Sequence, residues 1–171
     1  MDNTKIEIGK TIIVADNEFI VLDKLENGYL CLSKDFVYAN TIFDNNTNNY
    51  ANSDIREKLN TEYLKKITDV IGEENVIETE IDLTSDDGLD DYGKVTDKVG
   101  LLTADMYRKY SRIIEKYPVD DWWWLSTPWS TPHRGYHFAV RCVRDNGTLI
   151  SLSCDNNNGV RTFLIFSTSI F

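Results

Sequence analysis

Polar and apolar positions alternate through the opening "IEIGKTIIVADNEFIVLDKLENGYLCLSKDFVYA", a stretch rich in Ile and Val. This period of two, broken by turn signals at Ala15-Asp16-Asn17 and Glu26-Asn27-Gly28, predicts two or three short antiparallel strands. The polar run "TIFDNNTNNYANS" follows as a loop, because Asn side chains favour turns and left-handed backbone. The period then changes to 3.6. In "SDIREKLNTEYLKKITDVI", Ile55, Leu59, Tyr63 or Leu64, and Ile67 share one face, with Ser53 or Asn52 as the cap. A second helix is predicted in "KVGLLTADMYRKYSRIIEKY", with Thr103 as cap, a stripe of Leu102, Met106, Tyr110 and Ile113 or Ile114, and Pro118 as terminator. Strand patterns return in a tryptophan-rich segment, a hairpin, the loop "DNNNG" and a last strand "VRTFLIFSTSI".

The hairpin "FAVRCVRDNGTLISLSC" carries Asn146-Gly147, the preferred pair for a two-residue type I′ turn. That turn pairs Asp145 with Thr148, Cys142 with Ser151 and Ala139 with Cys154, which puts Cys142 and Cys154 on opposite faces. A disulfide between them is then excluded. Cys31 stands alone, and the three thiols show neither CxxC nor zinc-finger spacing, so they read as small buried side chains.

Composition narrows the function classes. A chain of 171 residues with 42% apolar content supports one core, and no Pro-rich or Gly/Ser-rich linker or internal repeat divides it. Its net charge of −10 and pI near 4.6 make nucleic acid an unlikely partner, because such binding needs cations against phosphate. No run reaches the length of a membrane span, and the polar start "MDNTKIEIGK" lacks a signal-peptide core, so a cytoplasmic protein is expected, or one carried on a phage particle released by lysis. Glu73 to Asp97 holds ten acidic residues against one lysine and is expected to be a solvated loop, since its adjacent Asp residues do not match an EF-hand.

In order along the chain, "YANSDIREKLNTEYL", "TDKVGLLTADMY", "WWLSTP", the "NG" hairpin and "GVRTFLIF" resemble a domain family of Firmicutes and their phages. Its members read S-x-L-R-x-W-L-N, D-x-V-F-L-L-S, W-W-L-R-S-P and G-V-R-P-A-L, and the resemblance runs from Ile8 onward. Ser53, Ile55, Arg56, Leu59 and Asn60 stand on the first motif, and Leu101, Leu102 and Thr103 on the second. Trp123, Trp124, Leu125 and Pro128 stand on the third, and Gly159, Val160, Arg161 and Leu164 on the last. Ser126, Thr162 and Phe163 depart from its Arg, Pro and Ala. The family looks like a relative of the C-type-lectin-like fold, which also supports formylglycine-generating enzymes and phage receptor-binding proteins. The resemblance therefore implies a single α+β domain of C-type-lectin-like type, spanning 1–171. The thiol pair of the formylglycine branch and the calcium-and-sugar motifs of true lectins are not present.

In an extended segment Trp122 and Trp124 point one way and Trp123 with Leu125 the other. Trp123 and Trp124 are expected to fill the core between helices and sheet. Arg161 is expected to be a buried cation satisfied by backbone carbonyls or an acid. The candidate ligand-binding residues are Trp122, Trp129, Arg134, Tyr136 and His137, together with the loop Asn156, Asn157 and Asn158. The Trp129 loop has two readings, a binding surface or a loop anchored by its own aromatics. No catalytic triad or carboxylate pair assembles around His133 or His137, so the expectation is a non-enzyme without cofactor or metal. It is expected to bind a protein or glycan, or alternatively to act as an acidic phage-type inhibitor or DNA mimic through residues 73–97.

Overall fold

The structure, a computed structural model, describes residues 6–171, so the first half of the polar leader lies outside it. Along the chain, β1 (Thr11–Val14), β2 (Asn17–Lys24), β3 (Gly28–Ser33) and β4 (Tyr38–Thr41) come first. Next are α1 (Asp54–Lys58), one π turn (Leu59–Tyr63) and α2 (Leu64–Ile71). β5 (Val76–Ile77), β6 (Thr79–Asp82), β7 (Lys94–Asp97) and β8 (Val99–Gly100) precede α3 (Ala104–Ile114). β9 (Trp123–Pro128), β10 (Ala139–Val143), β11 (Leu149–Ser153), β12 (Asn158–Val160) and β13 (Phe163–Ser167) complete an α+β domain. One sheet runs β1-β2-β3-β13-β5, with β8 also on β13, and a second runs β11-β10-β9-β12-β4. The second sheet is mixed, because β12 lies parallel to β9.

The first three strands and both helices form where the periodicity predicts. Ala15 and Asp16, at φ 49° and 59°, make the tight two-residue turn between β1 and β2. Ser53 caps α1, its Oγ accepting from the Arg56 N–H, and Thr103 caps α3 in the same way through Met106. Ile55, Leu59, Tyr63 and Ile67 are buried as expected. On α3 the buried stripe is Tyr107, Tyr110 and Ile114, while Met106 and Ile113 are half-buried. The π turn was not foreseen. It places the Asn60 carboxamide against β8, donating to Val99 O at 2.9 Å and accepting from Val99 N–H at 3.2 Å. One turn earlier, Arg56 grips Asp97 through Nε at 2.9 Å and Nη2 at 2.8 Å.

Two expectations need correction. The Asn-Gly hairpin closes one residue earlier than a two-residue turn allows, pairing Cys142 with Ile150 and Ala139 with Ser153. Asp145-Asn146-Gly147 is a three-residue loop in which Gly147 alone takes positive φ, 84°, so Asn146 never adopts the left-handed geometry that the type I′ turn requires. Cys142 and the position of Cys154 then share a parity and are not on opposite faces. They are separated instead by four positions along the hairpin, about 13 Å at strand spacing, too far for a disulfide. All three thiols are buried and free.

The acidic stretch is solvated, as expected, but it is not a plain loop. It contains β5 and the β6–β7 hairpin; nine of its ten acidic residues are exposed, and the buried one, Asp97, anchors it through Arg56.

β9 is the spine of the core. All six of its residues are buried, with Trp123 and Trp124 2% and 0% exposed. Trp123 meets Tyr107 of α3 edge-on at 5.7 Å. Trp124 packs against Phe43 on the other face and donates its indole N–H to Thr41 O at 2.8 Å. No helix among the described residues is long and apolar enough to cross a membrane.

Candidate functional site

β9 runs into the core at one end and emerges as Trp129 at the other, where residues 129–138 form a loop before β10 begins. The loop is bound from beneath by two segments far away in sequence. Asn48, fully buried, donates its backbone N–H to His137 O at 2.8 Å. Its Nδ2 donates to Ser130 O and to Ala139 O, both at 2.9 Å, and its Oδ1 accepts from the Tyr92 hydroxyl at 2.7 Å. Every polar atom of the Asn48 side chain is thereby matched. From the acidic segment, Asp87 accepts from Ser130 Oγ at 2.7 Å and lies 3.3 Å from Arg134 Nη1, and Asp91 accepts from Thr131 Oγ1. Hydroxyl bonds from Ser85 and Ser130, with the Arg134 charge nearby, hold the Asp87 carboxyl below the usual carboxylate range.

On this base the loop carries its aromatics outward. Trp129, Tyr136 and Phe138 are 40%, 52% and 48% exposed, with Trp129 and Tyr136 edge-to-face at 4.9 Å. The His137 ring, half-buried, lies 3.9 Å from that of Phe138. Of the sequence candidates, Tyr136 meets Trp129 directly, while Arg134 faces Asp87 and His137 packs on Phe138. Phe138 and the clamp residue Asn48 were missed.

The remaining candidates divide. Trp122 precedes β9 while Trp129 follows it, about 20 Å away at strand spacing, and it packs under the Arg144 guanidinium at 5.2 Å. Asn156 and Asn157 are exposed in a turn that leaves from beside Phe138, whose carbonyl accepts the Cys154 N–H at 2.8 Å. Asn158 is not displayed, because it pairs with Thr41 within β12 and is buried. Burial pushes the Cys31 thiol up to about 12 and the Cys142 thiol up to about 11, so neither is a nucleophile near neutral pH. Among the described residues, no three His, Cys, Asp or Glu side chains are grouped to hold a metal ion.

A sequence profile described as "Domain of unknown function (DUF6273)" matches residues 26–168. The chain belongs to the DUF6273 family. β3 to β13 fall inside the DUF6273 match, as do α1 to α3 and the whole Trp129 loop with its clamp, whereas β1 and β2 precede it. No curated protein and no solved structure matches the chain.

Proposed function

We propose that this DUF6273 domain is a non-enzymatic binding module, built on a C-type-lectin-like scaffold, that docks a protein partner through the Trp129–Phe138 loop. One observation carries the reading: three large aromatic side chains stand exposed on a loop whose backbone is clamped from below. A loop anchored by its own aromatics would bury them. Trp, Tyr and Arg dominate protein hot spots, and a preorganised loop loses little further entropy on binding. The Asn156-Asn157 turn beside Phe138 supplies polar groups at the rim. The lectin-like kinship rests on the sequence resemblance and on an α+β scaffold that carries a long loop. A phage or Firmicutes setting rests on the resemblance alone. In that setting the module works in the cytosol or on a phage particle.

The acidic-mimic reading is the weaker one, since Asp86, Asp87 and Asp97 pair with arginines of this chain and Asp91 accepts from Thr131, which leaves fewer of the carboxylates for a partner. A photo-crosslinking residue in place of Tyr136, with one in place of exposed Ile13 as control, identifies the partner. Its affinity is then measured against Trp129→Ala and Glu80→Gln at low and moderate salt. Loss of about tenfold or more for Trp129→Ala, with little salt dependence, supports the aromatic loop. Unchanged affinity for Trp129→Ala with a steep salt slope points to the acidic surface, and capture of an oligosaccharide in place of a polypeptide replaces the partner class.

A further inference from the structure

At the opposite end of β9 from the loop lies a second feature. Tyr107, Tyr117, Pro118 and Trp123 wall a cavity of about 110 Å³ into which two arginines, Arg144 and Arg161, also reach. Arg161 is 1% exposed. Its Nε donates to Ser33 O at 3.1 Å and its Nη2 to Lys34 O at 2.8 Å, while its plane lies 5.1 Å from the Trp123 ring centre. These carbonyls meet the expectation for a buried arginine. The Nε of Arg144, by contrast, is buried and without a hydrogen-bond partner among the described residues.

Neither guanidinium has a carboxylate within ion-pair distance among the described residues. Two carboxylates do border the cavity. Glu115 pairs with Arg112 at 3.4 Å, and Asp145 accepts from the Asn146 N–H at 3.1 Å. A buried cation without a carboxylate in direct contact is costly, and burial pulls the Arg161 guanidinium down to about 10, although the Asp35 charge acts the other way. The cavity is also preformed, since the Tyr107 hydroxyl is tied to Gly147 O at 2.7 Å and Trp122 supports Arg144 from behind.

We infer that this cavity is a binding site for a carboxylate on an apolar body, the anionic head between Arg144 and Arg161 and the body against Trp123, Tyr107 and Pro118. Planar guanidinium groups match a carboxylate fork, and the aromatic walls take the apolar part. With a volume below that of a benzene-binding cavity of roughly 150 Å³, the site admits the head and the first few carbons, and the rest of the ligand projects outward. Both a small organic acid and the C-terminus of a polypeptide carry this chemistry.

The test is an NMR titration of the whole chain, following the Trp123 indole N–H and the Gly147 amide. The probes are phenylacetate, phenylacetamide, and a short Phe-terminated peptide with free or amidated C-terminus. Saturable shifts at those two positions with phenylacetate or the free-acid peptide, absent with the neutral amides, are expected. Binding of phenylacetate alone assigns a small acid as ligand, and binding of the free-acid peptide alone assigns a chain terminus. Arg144 is half-buried and outside the core, so Arg144→Gln should fold and weaken binding about tenfold or more. Equal binding of amide and acid, unchanged affinity in Arg144→Gln, or no shift at millimolar probe would each overturn the assignment.

Discussion

Asn48 decides the position of the Trp129 loop, since its carboxamide reaches both ends of that loop and meets Tyr92 of the acidic segment. Asn48→Ala leaves Ser130 O and the Tyr92 hydroxyl without that partner in a buried site, at a cost of about 1–3 kcal/mol. Urea unfolding should show that loss, and amide exchange at Trp129 and Tyr136 should accelerate while that of β9 does not. Asp87 adds a pH dependence to the same loop. Its carboxyl pKa is lowered in the folded state, so its contribution is complete above the ordinary carboxylate range and is lost as the pH falls through the lowered value. Acid should therefore loosen the loop before it unfolds the core, and Asp87→Asn should remove that early step. An acid transition of Trp129 exchange that is unchanged in Asp87→Asn would count against this role. Arg134, Tyr136 and His137 were legible in sequence because they are neighbours of Trp129. Asn48 was not, because its bonds to Ser130 and Ala139 span 82 and 91 positions.

Among the elements, the amphipathic helices and the N-terminal strands could be read directly, because their periods report a one-sided core. The interruption of the first helix could not, as it answers to a pairing of Asn60 with Val99 across 39 positions. The hairpin failed by one residue for a local reason: Asn-Gly suits both a two-residue turn and the last two positions of a three-residue loop. The acidic run reads correctly as solvent-facing, but its strands were not legible, because charge density describes composition and not pairing. Gly100 and Phe163 provide a test at this scale. They face each other across β8 and β13, and a Cβ at position 100 would lie 2.7 Å from the Phe163 ring and 2.6 Å from Ile81 Cδ1. Gly100→Ala should cost about 1–3 kcal/mol alone. In a Phe163→Ala background most of that cost should vanish, a coupling of about 0.5–3 kcal/mol in a double-mutant cycle. Simple additivity of the two substitutions would refute the pairing.

At the scale of the whole molecule, β13 lies between β3 and the short strands β5 and β8, so the last strand of the chain completes a sheet begun by the first. Around that sheet the tryptophans separate by role. Trp123 and Trp124 build the core, Trp122 props Arg144, and Trp129 stands at the far end on a clamped loop. The central claim is that the aromatic end is kept for contact and not for packing. Its most direct test is the unfolding free energy of the triple variant Trp129→Ala, Tyr136→Ala, Phe138→Ala, set beside that of Trp124→Ala. Trp124→Ala should cost about 3–5 kcal/mol, as expected of a buried aromatic. The triple variant should lose only about 0.5 kcal/mol or less per ring, keeping a cooperative transition of unchanged denaturant slope. A triple variant as damaged as Trp124→Ala would show that the three rings hold the fold, and would contradict the account.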